Sequence, residues 1–183
     1  MKRLIALALC AGPVWANPMM IEDFSDGDAG GWSHVSDRVM GGVSDGAARL
    51  LTEGGQGFAR LEGRVSTANN GGFIQIRRNL PEGLPDGTTA IRLTLRGNGA
   101  PYYVHLRTTE ARRPWQYFQA RFETTGDWQQ VDLPLERFTP IGGLRKALSP
   151  TDMFSIGIVA YGADYTALLD IEKVETISAQ DGS

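Results

Sequence analysis

The sequence predicts an all-β domain with the architecture of a jelly-roll β-sandwich. Three observations lead there. Apolar and polar residues alternate over many short runs, turn-forming clusters separate those runs, and no segment sustains a helical period. Alternation with period two puts every second side chain on one face of a strand, as expected where one face is buried and the other meets solvent. Thr89 to Arg96 shows this most clearly, with Ile91, Leu93 and Leu95 on one side and Arg92, Thr94 and Arg96 on the other. Phe154, Ile156, Ile158 and Ala160 alternate in the same way.

In chain order, strands are expected at Met20 to Phe24, Ala47 to Leu51, Gly57 to Val65, Phe73 to Arg78, Thr89 to Arg96, Tyr102 to Thr108, Gln116 to Glu123, Gln129 to Pro134, Phe154 to Ala160 and Thr166 to Thr176. The separators Asn69-Asn70-Gly71-Gly72, Pro85-Asp86-Gly87, Gly97-Asn98-Gly99 and Thr125-Gly126-Asp127 carry strong turn chemistry. Ser149-Pro150-Thr151-Asp152-Met153 predicts one short helical turn, because Ser149 suits a cap and Pro150 the first helical position. About ten short strands with regular turns imply a sandwich or a barrel. The jelly roll is our reading, and periodicity alone leaves strand order, and so the barrel, open.

At 183 residues the chain is long enough for one domain with a sizeable core. Its hydrophobic fraction of 42% and charged fraction of 21% exclude a disordered or coiled-coil reading. Residues 1–16 read as a secretory signal: Lys2 and Arg3 precede an apolar stretch from Leu4 to Val14, and Val14-Trp15-Ala16 offers a cleavage site after Ala16. The apolar run is shorter than the roughly 20 residues that span a bilayer. The domain then covers 17–177, with 178–183 as a loose tail. The expected location is the bacterial periplasm or outside the cell.

Cys10, the only cysteine, lies within this signal and follows Leu9, where lipid attachment would want a small residue. A chain cleaved after Ala16 has no thiol, which removes disulfides, thiolate metal sites and cysteine nucleophiles together. The formal charge of -3 becomes more negative once Lys2 and Arg3 are lost, so nucleic acid is not an expected partner.

Catalytic chemistry is hard to assemble. His34 and His105 are the only histidines, and they lack metal-ligand spacing. A nucleophile elbow and a phosphate-binding loop are both missing, because Gly41-Gly42 is not followed by the lysine a phosphate loop requires. The grouping of His34, Ser36 and Asp37 is of a kind found by chance in any sequence. We therefore expect no catalytic residues and no cofactor, apart from one metal reading. Glu22, Asp23, Asp26 and Asp28 crowd the first strand and its turn, and Asp170 and Glu172 lie on the last. Terminal strands of a jelly roll often run side by side, so Asp23 and Asp170 would mark a structural Ca²⁺ site; the alternative is a solvated acidic edge.

A candidate ligand face follows from alternation. With Val104, Leu106, Phe118, Ala120 and Phe122 pointing inward, Tyr103, His105, Arg107, Tyr117, Gln119 and Arg121 share the outward face. Gln75 with Arg77, or else Arg78, extends it, as do Thr94, Arg96, Trp115 and Tyr161. Tyrosines, arginines and amides suit stacking on sugar rings and hydrogen bonding to their hydroxyls, and equally suit a protein partner.

Trp32 followed by Ser36-Asp37-Arg38-Val39-Met40-Gly41-Gly42-Val43-Ser44 is a specific run that reads as a structured loop. Paired glycines allow positive φ or close backbone approach, Asp37 suits bonding to nearby amides, and Met40 and Trp32 are expected to pack beneath the turn. Together with Phe58 to Val65 and Asn70-Gly71-Gly72-Phe73, this run resembles the complex I intermediate-associated protein 30 family, from about Ile21 to Ile177. The resemblance implies a galactose-binding-domain-like jelly roll, similar to carbohydrate-binding modules of family 11, without catalysis. Mitochondrial members of the family help assemble respiratory complex I. The signature positions are Trp32, Asp37, Arg38, Met40, Gly41, Gly42, Asn70, Gly71, Gly72 and Phe73. The expected function is that of an exported binding domain, for a protein partner in the cell envelope in the manner of an assembly factor or, alternatively, for a glycan on the sheet face.

Overall fold

The computed structural model describes residues 18–178. Its strands are β1 (Pro18–Glu22), β2 (Ser33–Ser36), β3 (Asp45–Glu53), β4 (Gln56–Val65), β5 (Phe73–Asn79), β6 (Thr88–Gly97), β7 (Tyr102–Thr108), β8 (Tyr117–Phe122), β9 (Gln129–Pro134), β10 (Thr139–Ile141), β11 (Met153–Tyr161) and β12 (Tyr165–Ser178). The expected leader at 1–16 lies outside the described residues. Ser178 belongs to β12 and pairs with Thr88, so of the expected tail only 179–183 lies beyond the description.

The strands form two antiparallel sheets. Sheet A has the order β3-β4-β12-β6-β9, with β1 also paired to β12, and sheet B has the order β10-β8-β7-β11-β5-β2. Two separate sheets make this a sandwich and resolve the alternative of a barrel. The long β12 pairs with β6 along one edge, while β4 and then β1 share its other edge. The two terminal strands therefore do run side by side, with Pro18 opposite Ile177.

The inward faces of both sheets meet in one core. Leu61, Leu93, Leu95, Leu169 and Ile171 come from sheet A; Ile74, Ile76, Val104, Leu106, Ile156 and Ile158 come from sheet B. Each such side chain contributes roughly 1.5–3 kcal/mol by leaving water. Tyr102 crosses the core: its hydroxyl donates to Asn98 Oδ1 at 2.8 Å and accepts from the Leu168 amide at 2.9 Å. A buried phenol is thereby satisfied, and β7 is locked to β12.

Two strands were not foreseen. β2 and β10 are four and three residues long and form the two edges of sheet B, too short to display alternation. The expected turn after Ser149 is a 3-10 turn at Pro150–Asp152, and the Ser149 side chain does not cap it. No helix among the described residues is long and apolar enough to cross a membrane.

Candidate functional site

The signature run forms the connection from β2 to β3. Asp37 opens a 3-10 turn, Asp37–Met40, and its side chain is completely buried. Oδ1 accepts the Ser44 amide at 3.0 Å. Oδ2 accepts the Ser44 hydroxyl at 2.5 Å, the Gly72 amide at 2.6 Å and the Phe73 amide at 3.3 Å. Burial alone would raise this carboxyl, but the converging donors outweigh it and hold its pKa below the ordinary value. The glycines follow from the same carboxylate. A Cβ on Gly42 would lie 2.3 Å from the Asp37 carboxyl carbon, and one on Gly71 would lie 2.4 Å from Oδ2. Gly41 ends the turn at φ +89°, in the left-handed region that favours glycine. Asp37, Gly42, Gly71, Gly72 and Phe73 thus form one structural knot joining two loops. Asn70, also at positive φ, shapes its approach.

Two signature residues depart from expectation. Met40 is 56% exposed and Val39 is 74% exposed, because backbone bonds to Asp37 hold the loop without any packing beneath it. Trp32 is buried, but it packs against Phe24 with ring centroids 6.3 Å apart. Arg38 lies along the surface of the loop, donating to the Ser44 carbonyl and pairing with Asp45 at 3.2 Å.

The outward face of sheet B gathers most of the predicted ligand residues. Tyr103, His105 and Arg107 on β7 alternate against buried Tyr102, Val104 and Leu106; Tyr117, Gln119 and Arg121 on β8 alternate against buried Phe118, Ala120 and Phe122. His105 is opposite Gln119, and Tyr103 is opposite Arg121. Gln75 and Arg77 join from β5, opposite inward Ile74 and Ile76. Arg78 turns away to Glu22 and the Ile21 carbonyl, which decides between the two β5 alternatives.

At the centre is an aromatic cluster. The His105 ring stacks on Tyr117 with centroids 4.0 Å apart and planes 14° from parallel. Tyr161 meets His105 edge-on at 5.5 Å and Tyr103 edge-on at 5.7 Å. Enclosure between these rings lowers the His105 pKa to about 3, so the imidazole is neutral at physiological pH. Burial, with the neighbouring Tyr161 hydroxyl, pushes the Tyr117 phenol up. Three buried polar atoms here, His105 Nε2, Gln119 Oε1 and Arg107 Nε, have no hydrogen-bond partner among the described residues.

Sequence reasoning found the strand that divides the face but not the residues it adds there. On β11, Ser155, Gly157 and Val159 occupy the same outward positions as Tyr161, between β7 and β5. The alternation of Ile156, Ile158 and Ala160 was the signal that would have found them. A Cβ on Gly157 would lie 2.7 Å from Gln75 Oε1, so the glycine leaves room for that amide. Trp115, 57% exposed, lies off the sheet in the loop from β7 to β8, with the Arg113 guanidinium 5.7 Å from its ring centroid.

Arg96 does not belong to this face. It projects from β6 on sheet A, where it pairs with Asp170 at 2.8 Å and Glu53 at 2.7 Å and lies 4.6 Å from the Trp128 ring centroid. Alternation correctly separated it from Leu95 but does not say which sheet a strand joins. Asp170, expected near a metal, uses both oxygens on guanidiniums: Arg60 at 2.7 and 2.8 Å, and Arg96 at 2.8 Å. Burial opposes its charge, but these two cations hold its pKa below the ordinary value. Asp23 instead accepts from the amide and hydroxyl of Ser25. Among the described residues, no group of three or more His, Cys, Asp or Glu side chains is arranged to hold a metal ion.

Two clefts open away from the aromatic cluster. One of about 130 Å³ lies at the β2 and β3 edge and is lined by Phe24, Trp32, His34 and Leu50. The other, about 340 Å³, lies beside Arg121, Glu123 and Arg137.

Comparison with known proteins supports the same architecture. No curated protein sequence matches. Among solved structures, the family 11 carbohydrate-binding module of the cellulosomal cellulase Lic26A-Cel5E of Clostridium thermocellum aligns with a TM-score of 0.72 at 12% identity, over 93% of this chain and 100% of that one. A family 11 module from the same organism in complex with a β-1,3-1,4-mixed-linked tetrasaccharide gives 0.71 at 13% identity, over 92% and 99%. A family 30 carbohydrate-binding module gives 0.55 at 14%, over 75% and 92%. These likenesses show the jelly-roll fold. The family model for complex I intermediate-associated protein 30 matches residues 22–171, which contain the whole knot around Asp37, and the chain belongs to that family.

Proposed function

We propose that this protein is a non-catalytic, exported binding domain that takes a glycan on the outward face of sheet B. The observation that carries this reading is the tyrosine and histidine cluster on that face, set beside polar groups that lack partners. Tyr103, Tyr117 and Tyr161 offer half-buried ring surface, and the half-buried side chains of Gln75, Arg77 and Gln119 supply polar groups beside it. The similarity to a family 11 module in complex with a mixed-linked tetrasaccharide supports it further. Neither the sheet face nor the signature loop assembles a nucleophile with a base, which supports binding without turnover.

The test is affinity electrophoresis and glycan-array binding of the chain from residue 17, using neutral and acidic polysaccharides. We expect retention that Tyr103→Ala and Tyr117→Ala each weaken about tenfold, the 1.4 kcal/mol scale of a contributing aromatic contact. Silence across the panel, or retention indifferent to both substitutions, would sink the proposal.

A protein partner in the cell envelope is the second reading. It is favoured by Val39, Met40 and Val43, which a rigid loop holds exposed. Pull-down from an envelope fraction should then recover a reproducible partner that Val39→Ser with Met40→Ser fails to recover. Equal recovery by both proteins would argue against this surface.

A further inference from the structure

The face of sheet B has two chemically different ends. Tyr103 and Tyr161 stand at one. Toward the other, Arg77 on β5 and Arg107 on β7 flank β11. Gly157 lies opposite Arg77 on one side and His105 on the other, and Ser155 lies opposite Arg107. Between the two guanidiniums the strand carries only a glycine, against which the Gln75 amide lies, and one short, buried serine. It forms the floor of a trough with arginines on both sides.

These arginines differ from the others at similar depth. Arg60, Arg92 and Arg96 each meet a carboxylate at 2.7 or 2.8 Å. Neither Arg77 nor Arg107 has an ion-pair partner among the described residues. Arg121, further along the face, is already paired with Glu123 at 2.7 Å. Arg107 donates Nη2 to the Arg113 carbonyl and lies 5.0 Å from the Phe154 ring centroid, while its Nε is buried without an acceptor. Burial and the like charge of Arg77 both press against its ionisation. Half-buried cations without counter-charge are costly, and a bound anion relieves that cost.

We propose that the trough between Arg77 and Arg107 receives the acidic group, carboxylate or sulfate, of a glycan whose rings lie on the tyrosine cluster. The inference rests on the glycan reading above and narrows it from sugars in general to acidic ones. A guanidinium fork matches a carboxylate or sulfate through paired hydrogen bonds, and a neutral hydroxyl would not meet the charge. The negative net charge of the whole chain favours a short acidic saccharide over nucleic acid, which would be repelled beyond this local patch.

The test uses the chain from residue 17 with four probes: polygalacturonate, a sulfated carrageenan, neutral mixed-linked β-glucan and single-stranded DNA. We expect one acidic polysaccharide to bind more tightly than the glucan and to weaken as salt rises. Arg77→Gln and Arg107→Gln should each reduce that binding roughly tenfold or more. Arg107→Lys, which keeps the charge without the fork, guards against loss of fold and should fall between. Whichever acidic probe responds identifies the group as carboxylate or sulfate. Binding to glucan alone, unchanged in the arginine variants, overturns this inference and leaves the glycan reading intact. No polysaccharide binding overturns both. Equally tight DNA binding that disappears in the same variants makes the trough a general polyanion site and overturns the acidic-sugar assignment.

Discussion

Removing the carboxylate of Asp37 should unfold the protein more readily than any change on the candidate binding face. Asp37→Ala deletes the acceptor of four hydrogen bonds, from the Ser44 amide, the Ser44 hydroxyl, the Gly72 amide and the Phe73 amide. A buried donor left unpaired costs about 1–3 kcal/mol. The cavity left by the side chain admits water to some of the four, so we expect a loss of about 3–5 kcal/mol, a large part of the 5–15 kcal/mol of a typical domain. For a domain of this size that corresponds to about 10–15 °C in Tm.

Asp37→Asn discriminates further. Its amide oxygen placed at the Oδ2 position keeps three of the four bonds and turns an NH₂ toward the Ser44 amide alone, so about half the loss is expected. Thermal and urea denaturation followed by circular dichroism measure both variants. A loss below about 1 kcal/mol for Asp37→Ala, or equal losses for Asn and Ala, would refute the assignment of Asp37 as the centre of a hydrogen-bonded knot.

Three further outcomes follow from the structure. His105 has a folded pKa of about 3 against an unfolded value near 6.5, so the unfolded chain binds the extra proton between them. Stability contributed by the neutral ring is full above the unfolded value and falls as pH drops toward 3, by up to about 1.4 kcal/mol per pH unit. His105→Gln should flatten that slope between pH 6.5 and 4.5, and an unchanged Tm-versus-pH curve would contradict the enclosure of the ring. Asp170→Asn leaves Arg60 and Arg96 facing a neutral group, and a loss of about 2–3 kcal/mol is expected in urea denaturation, since both arginines keep partial access to water. An unaltered midpoint would make the pair ornamental. Gly157→Val should displace Gln75 and crowd the trough, reducing glycan affinity about tenfold while moving Tm by only a few degrees; undiminished affinity would place the ligand elsewhere.

The sequence made the faces of the strands legible, and the strands themselves to within a few residues. Alternation put Tyr103, His105 and Arg107 opposite Val104 and Leu106, and the backbone keeps them there. Neighbours were harder. Arg96 and Arg77 occupy equivalent outward positions on their strands, yet one joins sheet A and the other sheet B. Pairing across distant sequence is decided by the packing of the whole sandwich, which no local period encodes. Short edges were illegible for a different reason: Ser33–Ser36 and Thr139–Ile141 have too few residues to alternate.

The signature loop shows a third limit. The requirement of Asp37 for nearby amides and of the paired glycines for space could be read directly. Met40 could not be placed, because an apolar side chain on a loop fixed by its own backbone bonds need not be buried.

The position of β12 bears on how this chain acquires its shape. Among the described residues it is the last strand in chain order, yet it stands inside sheet A, between β6 on one edge and β4 with β1 on the other. Before residues 165–178 emerge, sheet A exists only as separate pieces, the β3 and β4 hairpin and the β6 and β9 pair. Closing it joins residues more than a hundred positions apart, which makes for slow folding. A stable sandwich therefore waits on residues 165–178, and a nascent chain held open until they emerge remains competent to be threaded across a membrane, as the proposed export requires.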